Sequence, residues 1–168
     1  KGYGVIEITK VLDSKTAQYK IVSPLAGSGT TYEWSEGEWD NGKGWPRMSA
    51  FFQDRFVLAN TEKYPNKVWM SRTGDYANFG VEKANGELTD DSAITLSVIN
   101  RKLFNVKHLV PASDLIVLTD GNEWIISGSD TVTPSKVNLR IQTQYGVSDS
   151  QPQYIGNRCV FVTAHGTN

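Results

Sequence analysis

A chain of 168 residues with 39% apolar content can build one packed domain, or one compact piece of a larger one. Its formal net charge of −1 lacks the basic footprint that binding to nucleic acid or an anionic membrane requires, and no apolar run approaches the roughly 18 residues needed to cross a bilayer. The single cysteine, Cys159, excludes a disulfide framework within the chain and reads as a small buried thiol rather than a nucleophile, which fits a reducing cytoplasm. The N-terminal run has no signal-peptide core, so the chain reads as soluble. It lacks a starting Met and opens almost inside a strand, so it also reads as a fragment.

From Tyr3 to Val22 apolar and polar residues alternate. Ile6 and Ile8 oppose Glu7 and Thr9, then Ala17, Tyr19 and Ile21 oppose Gln18 and Lys20, with Asp13-Ser14-Lys15 between them. That pattern predicts a β-hairpin. Pro24 and the run Ala26 to Thr31 read as a flexible connection, so residues 1–31 form a hairpin module with its linker and residues 32–168 the main β region. Between Trp34 and Trp45, aromatic rings alternate with acidic residues, Asn41 and glycines. Trp34, Trp39 and Trp45, with Arg47 behind them, either plug a sheet edge or present anchors to a partner, and a sugar platform is a third reading. Arg47 itself reads as a structural hydrogen-bond donor.

Met48 to Phe52, Phe56 to Ala59 and Val68 to Met70 are too short for helices and are separated by polar, Pro or Gly breaks, which predicts consecutive strands. In Ser71 to Tyr76, Arg72 and Asp75 are candidates for a clamp across a tight turn. Gly74 to Asp91, rich in Gly and acidic residues, reads as an insertion. Ile94, Leu96 and Val98 mark another strand, and Asn105 to Val110 reads as a strand or a short helix. Asp114 to Thr119 and Glu123 to Ile126 flank Asp120-Gly121, a strong hairpin signal because Gly tolerates the positive φ of a primed turn. Val137, Leu139 and Ile141 form a strand before the Tyr145-Gly146 turn, and Asn157 to Val162 a last one.

No long amphipathic helix emerges, so the expected fold is all-β with antiparallel sheets. Strands starting near Arg55, Asp114 and Asn157 recur at roughly 60 and then roughly 40 residues. Propeller blades repeat at ~40–50, so the first interval carries the insertion and the whole reads as three candidate blades of an incomplete β-propeller.

Chemical motifs are absent. His108 and His165 have no metal-ligand spacing, the Asp120 to Glu123 run lacks the length and terminal Glu of an EF-hand loop, and no nucleophile elbow, P-loop or dinucleotide fingerprint occurs. No metal or cofactor is expected, and no catalytic residue. The rival reading is a carbohydrate-binding or glycosidase-like propeller drawing on Asp75, Asp114, Asp120 and Glu123. The Asp120-Gly121 and Trp124 spacing misses the Asp-box S-x-D-x-G-x-T-W by one residue, and a hydrolase needs two carboxyls at a set separation.

The run G-W-P-R, then F-F-Q-D-R-F-V-L-A-N-T, then P-x-x-V-W-x-S-R-T-G-D-Y-x-N-F resembles the tail tubular or nozzle proteins of short-tailed bacteriophages. D-L-I-V-L-T-D-G-N-E-W-I-I-S-G, Q-T-Q-Y-G and G-N-R-C-V-F-V continue the resemblance in order, from about Trp34 to Ala164. It implies a non-enzymatic virion protein of the tail with a propeller-type body, assembled in the bacterial host cytoplasm. It further implies a ring, expected to be hexameric, around the DNA-ejection conduit, contacting a tail adaptor and fibre or spike proteins. DNA would pass without sequence-specific binding and no membrane would be bound. The chain is much shorter than a complete member of that family.

Overall fold

A computed structural model describes residues 4–25, 27–32, 34–81 and 87–164. Tyr3, Ala26, His165 and residues 82–86 of the expected insertion lie outside the described residues. The chain forms two compact units, residues 1–36 with 82–89, and residues 37–81 with 90–168.

The first unit carries the N-terminal hairpin, β1 (Val5–Val11) and β2 (Ala17–Ser23). Asp13 Oδ1 accepts the amide of Lys15 at 2.7 Å and Thr16 O accepts that of Leu12 at 2.9 Å, which closes the turn. Ile6 stands opposite Ile21 and Ile8 opposite Tyr19, so one face is a continuous apolar strip, while Glu7 meets Lys20 on the other. None of those four apolar side chains is buried.

The second unit contains two antiparallel meanders in succession. β3 (Met48–Phe52), β4 (Arg55–Ala59), β5 (Lys67–Met70) and β6 (Ile94–Ser97) pair in chain order. β7 (Val106–Pro111), β8 (Leu115–Thr119), β9 (Glu123–Ser127) and β10 (Asn138–Thr143) do the same, and β11 (Gln153–Ile155) with β12 (Arg158–Val160) adds a two-stranded hairpin. Of residues 105–110, read as a strand or a short helix, Val106 onward forms strand β7 while Asn105 stays outside it. Among the described residues there is no helix, and the fold is all-β. Of the three candidate blades two are four-stranded meanders, whereas the third comprises only β11 and β12, with a Val147–Thr163 bridge beside them.

One core joins the two meanders. Phe52, Val57, Ala59, Val68, Met70 and Ile94 of the first meet Val106, Leu115, Val117, Trp124 and Ile126 of the second. Each of the Val, Leu, Ile, Met and Phe side chains among them contributes about 1.5–3 kcal/mol when fully buried. On the other face of the second meander a smaller cluster of Val110, Leu118 and Val147 packs with Ile116, Cys159 and Phe161. Asn60 ties the meanders together where β4 ends. Its backbone takes φ 60°, and its Nδ2 donates to Val106 O at 2.7 Å.

Two turns depart from expectation. Gln53 and Asp54, joining β3 to β4, both adopt positive φ, the primed geometry that twisted hairpins favour. Neither is glycine. Tertiary contacts hold them there: Gln53 Oε1 accepts the Val132 amide at 2.7 Å, and Asp54 O accepts that of Gly74 at 2.9 Å. Conversely, Gly121 in the Asp120-Gly121 hairpin does not take positive φ. Space requires glycine there, since a Cβ would lie 2.0 Å from Phe104 Cε1.

Candidate functional site

The tryptophan loop is built on Asp40. Its Oδ1 accepts the amides of Gly42 and Lys43, each at 2.7 Å, and its carbonyl accepts that of Gly44 at 2.8 Å. The Lys43 amide is the main cause holding the Asp40 carboxyl below its ordinary value. Gly44 has φ +80°, and a Cβ there would sit 2.9 Å from the backbone N of Glu62, so only glycine lets the loop lie against that segment. Lys67 reaches Glu38 at 2.9 Å and stacks over the Tyr64 ring at 4.1 Å, fastening the loop to β5.

This scaffold sorts the tryptophans. Trp39 turns inward and meets Trp69 and Phe79 edge to face, with centroids 5.6 Å and 4.9 Å away. Trp45 is 60% exposed, its Nε1 donating to Asn41 Oδ1 at 3.4 Å. Trp34 is 74% exposed and belongs to the other compact unit. Trp39 is thus half-buried against Trp69 and Phe79, whereas Trp34 and Trp45 stay exposed. Arg47 is exposed, and its backbone amide, shared between Ala59 O and Asn60 O, makes the structural bonds foreseen for its side chain.

Arg72 and Asp75 do meet, through a backbone bridge and not through their side chains. The guanidinium of Arg72 donates to Gly80 O at 3.1 Å and pairs with Asp91 at 3.4 Å, while Asp75 Oδ2 accepts from Asn78 at 3.1 Å. Tyr76 donates its hydroxyl to Asp54 Oδ1 at 2.6 Å, which raises the phenol above its usual range and ties this loop to the β3–β4 turn. The sequence reading missed the principal anchor. Arg55 is 1% exposed and donates to Ser71 O at 2.8 Å, Ser92 O at 2.7 Å and Asp90 O at 2.8 Å, gathering both ends of the long β5–β6 connection. Desolvation lowers its pKa and Asp91 opposes that. A guanidinium still remains cationic at neutral pH.

Asp120 fixes its hairpin to Asn105, the residue that leads into β7. Its Oδ1 accepts the Asn105 amide at 2.8 Å, and its Oδ2 accepts Asn105 Nδ2 at 2.6 Å. Glu123, a member of the rival hydrolase set, is buried and accepts the Thr143 hydroxyl and the Tyr145 amide. Each of Asp75, Asp120 and Glu123 thus has structural partners of its own, and Asp114 lies partly buried in the β7–β8 turn. Among the described residues no group of three or more His, Cys, Asp or Glu converges on a point.

What these loops brace is a pair of meanders, and residues 48–168, which contain every strand of the second unit, match the bacteriophage nozzle protein family. The chain belongs to that family. It is 30% identical over 115 residues to the tail tubular protein gp12 of Escherichia phage T7, an alignment covering 67% of this chain and 14% of that protein. Membership places the nozzle-family chain among phage tail structural proteins. The match takes in Arg55, Arg72, Asp75, Asp120 and Gly121, whereas Trp34, Trp39, Trp45 and Arg47 precede it.

Proposed function

We propose that this chain supplies part of the wall of a tail nozzle, the conduit through which DNA leaves the particle, and that its parent protein assembles as a ring on the tail axis. Two consecutive four-stranded meanders sharing one apolar core, in a nozzle-family chain, carry that reading. Sheets stacked face to face in chain order are the unit from which a propeller ring is repeated. The ring is a hexamer, with an adaptor ring on one side and fibre or spike proteins at its flank.

The exposed strip of Ile6, Ile8, Tyr19 and Ile21 supports assembly, because an isolated two-stranded hairpin is marginal in water and such a face gains stability by being covered. A near-neutral chain also suits a conduit, since a strongly basic lumen would hold the phosphate backbone through counterion release. Trp34 and Trp45 are candidate anchors for neighbouring proteins in the tail. Residues 1–31 act as a separate hairpin module.

Electron microscopy of the full-length parent, purified and in particles from the same source, tests this. A ring on the tail axis with a lumen poor in Lys and Arg is expected. A monomer absent from particles, or a densely basic lumen, would overturn it.

A further inference from the structure

β9 begins at Glu123, and its carboxylate is only half satisfied. The residue is 2% exposed; Oε2 takes the Thr143 hydroxyl and the Tyr145 amide, while Oε1 is buried with no hydrogen-bond partner among the described residues. No ion pair among those residues reaches Glu123. Arg140 stands across from Ile125 in the strand register and leaves its side chain exposed. A buried acceptor left unpaired is costly, and more so when it carries charge.

Glu123 also lines a groove of about 180 Å³. Ile116, Leu118, Ile125 and Phe161 form its apolar walls, and Gln142 stands at its exposed side. The groove arises because β12 and Phe161 pack over the Leu118 side of the second meander and leave the Ile125 side partly open. Its volume far exceeds what one water needs. A hard metal ion would want several oxygens, and only one carboxylate is present. A mostly apolar groove lined by a single carboxylate instead complements an aliphatic stem ending in a cation, the chemistry of Lys and Arg side chains.

We propose that this groove receives one basic side chain, Lys or Arg, presented by a polypeptide that packs across the exposed face of β9 and β10, with Glu123 as its counter-ion. Charge complementarity selects that occupant. A neutral hydroxyl would satisfy Oε1 and leave the charge uncompensated, and an acidic or purely apolar group would worsen its burial.

The isotope-labelled chain, titrated with n-butylammonium, n-butylguanidinium, 1-pentanol and 1,4-diaminobutane and followed by amide chemical shifts, tests this. Saturable shifts at Glu123, Ile125, Gln142 and Phe161 are expected with butylammonium or butylguanidinium. The better of the two is expected to bind about tenfold more tightly than pentanol, as one charge-assisted hydrogen bond warrants. Glu123→Gln is expected to abolish that preference; the ammonium-to-alcohol comparison on the unaltered chain stands even where the variant folds poorly. Equal binding of pentanol, which is what a water-satisfied Oε1 predicts, would overturn the proposal. So would the absence of saturable shifts, or tighter binding of the diamine, which would mark a site for free polyamines.

Discussion

Arg55→Met is expected to be the most damaging change outside the apolar core. Met keeps much of the buried stem but removes all three donors that reach Ser71 O, Ser92 O and Asp90 O. A hydrogen bond from a charged donor is worth about 1.5–3 kcal/mol, and each stranded carbonyl adds a desolvation cost. Relief of burying the guanidinium offsets part of that, so the net loss is about 3–5 kcal/mol. Arg55→Lys retains the charge but cannot span three carbonyls with one ammonium, and about 2 kcal/mol is expected to be lost. Urea unfolding measures both. With a slope of about 2 kcal/mol per molar, the Met variant's midpoint falls by roughly 2 M. Hydrogen exchange adds a local readout, with protection lost first at residues 71–81 and 87–93. A drop of less than about 1 kcal/mol for Arg55→Met would refute the reasoning, because the three bonds would then be replaceable by water.

Four other comparisons are informative. Gly146→Ala is expected to cost at least about 2 kcal/mol, since residue 146 has φ +70° and its new Cβ would lie 2.4 Å from Asp120 O; Gly121→Ala, which strikes Phe104, is expected to be eased by Phe104→Ala in a double-mutant cycle, and simple additivity would refute that contact. Trp39→Ala is expected to lose about 2–4 kcal/mol in chemical unfolding, against no more than about 0.5 for Trp34→Ala, and a reversed order would show that Trp39 does not pack as described. Asp40 titrates below its ordinary 3.8 in the folded state, so its ionised form contributes stability above that pH and the contribution is lost as pH falls through the lowered value. Asp40→Asn is therefore expected to be less stable than the parent at pH 7, with the gap closing below about pH 4 in thermal melts.

Most strands were legible in the chain because alternation is a local property. Ile94, Leu96 and Val98, or Val137, Leu139 and Ile141, show on which face a side chain will stand whatever covers it. Gly146, read as part of a turn, takes positive φ, whereas Gly121, read the same way, does not. The ordered motifs, read from about Trp34 to Ala164, were enough to indicate the family, whose match spans residues 48–168.

Partnership was not legible. Arg55 looks like an ordinary strand-opening charge, and its acceptors lie 16, 35 and 37 residues away. Nothing local separates Trp39 from Trp45; the difference is that Trp69 and Phe79, far along the chain, pack edge to face with Trp39. Gln53-Asp54 carries no turn signature, yet it holds the primed geometry because Val132 and Gly74 bond to it. Glu123 reads as a turn-edge charge until β10 and the Cys159 to Phe161 segment bury it. Period and conformational preference are short-range properties written in neighbouring residues. Burial, hydrogen-bond satisfaction and the pairing of charge depend on which distant segments converge, and only the folded chain decides that.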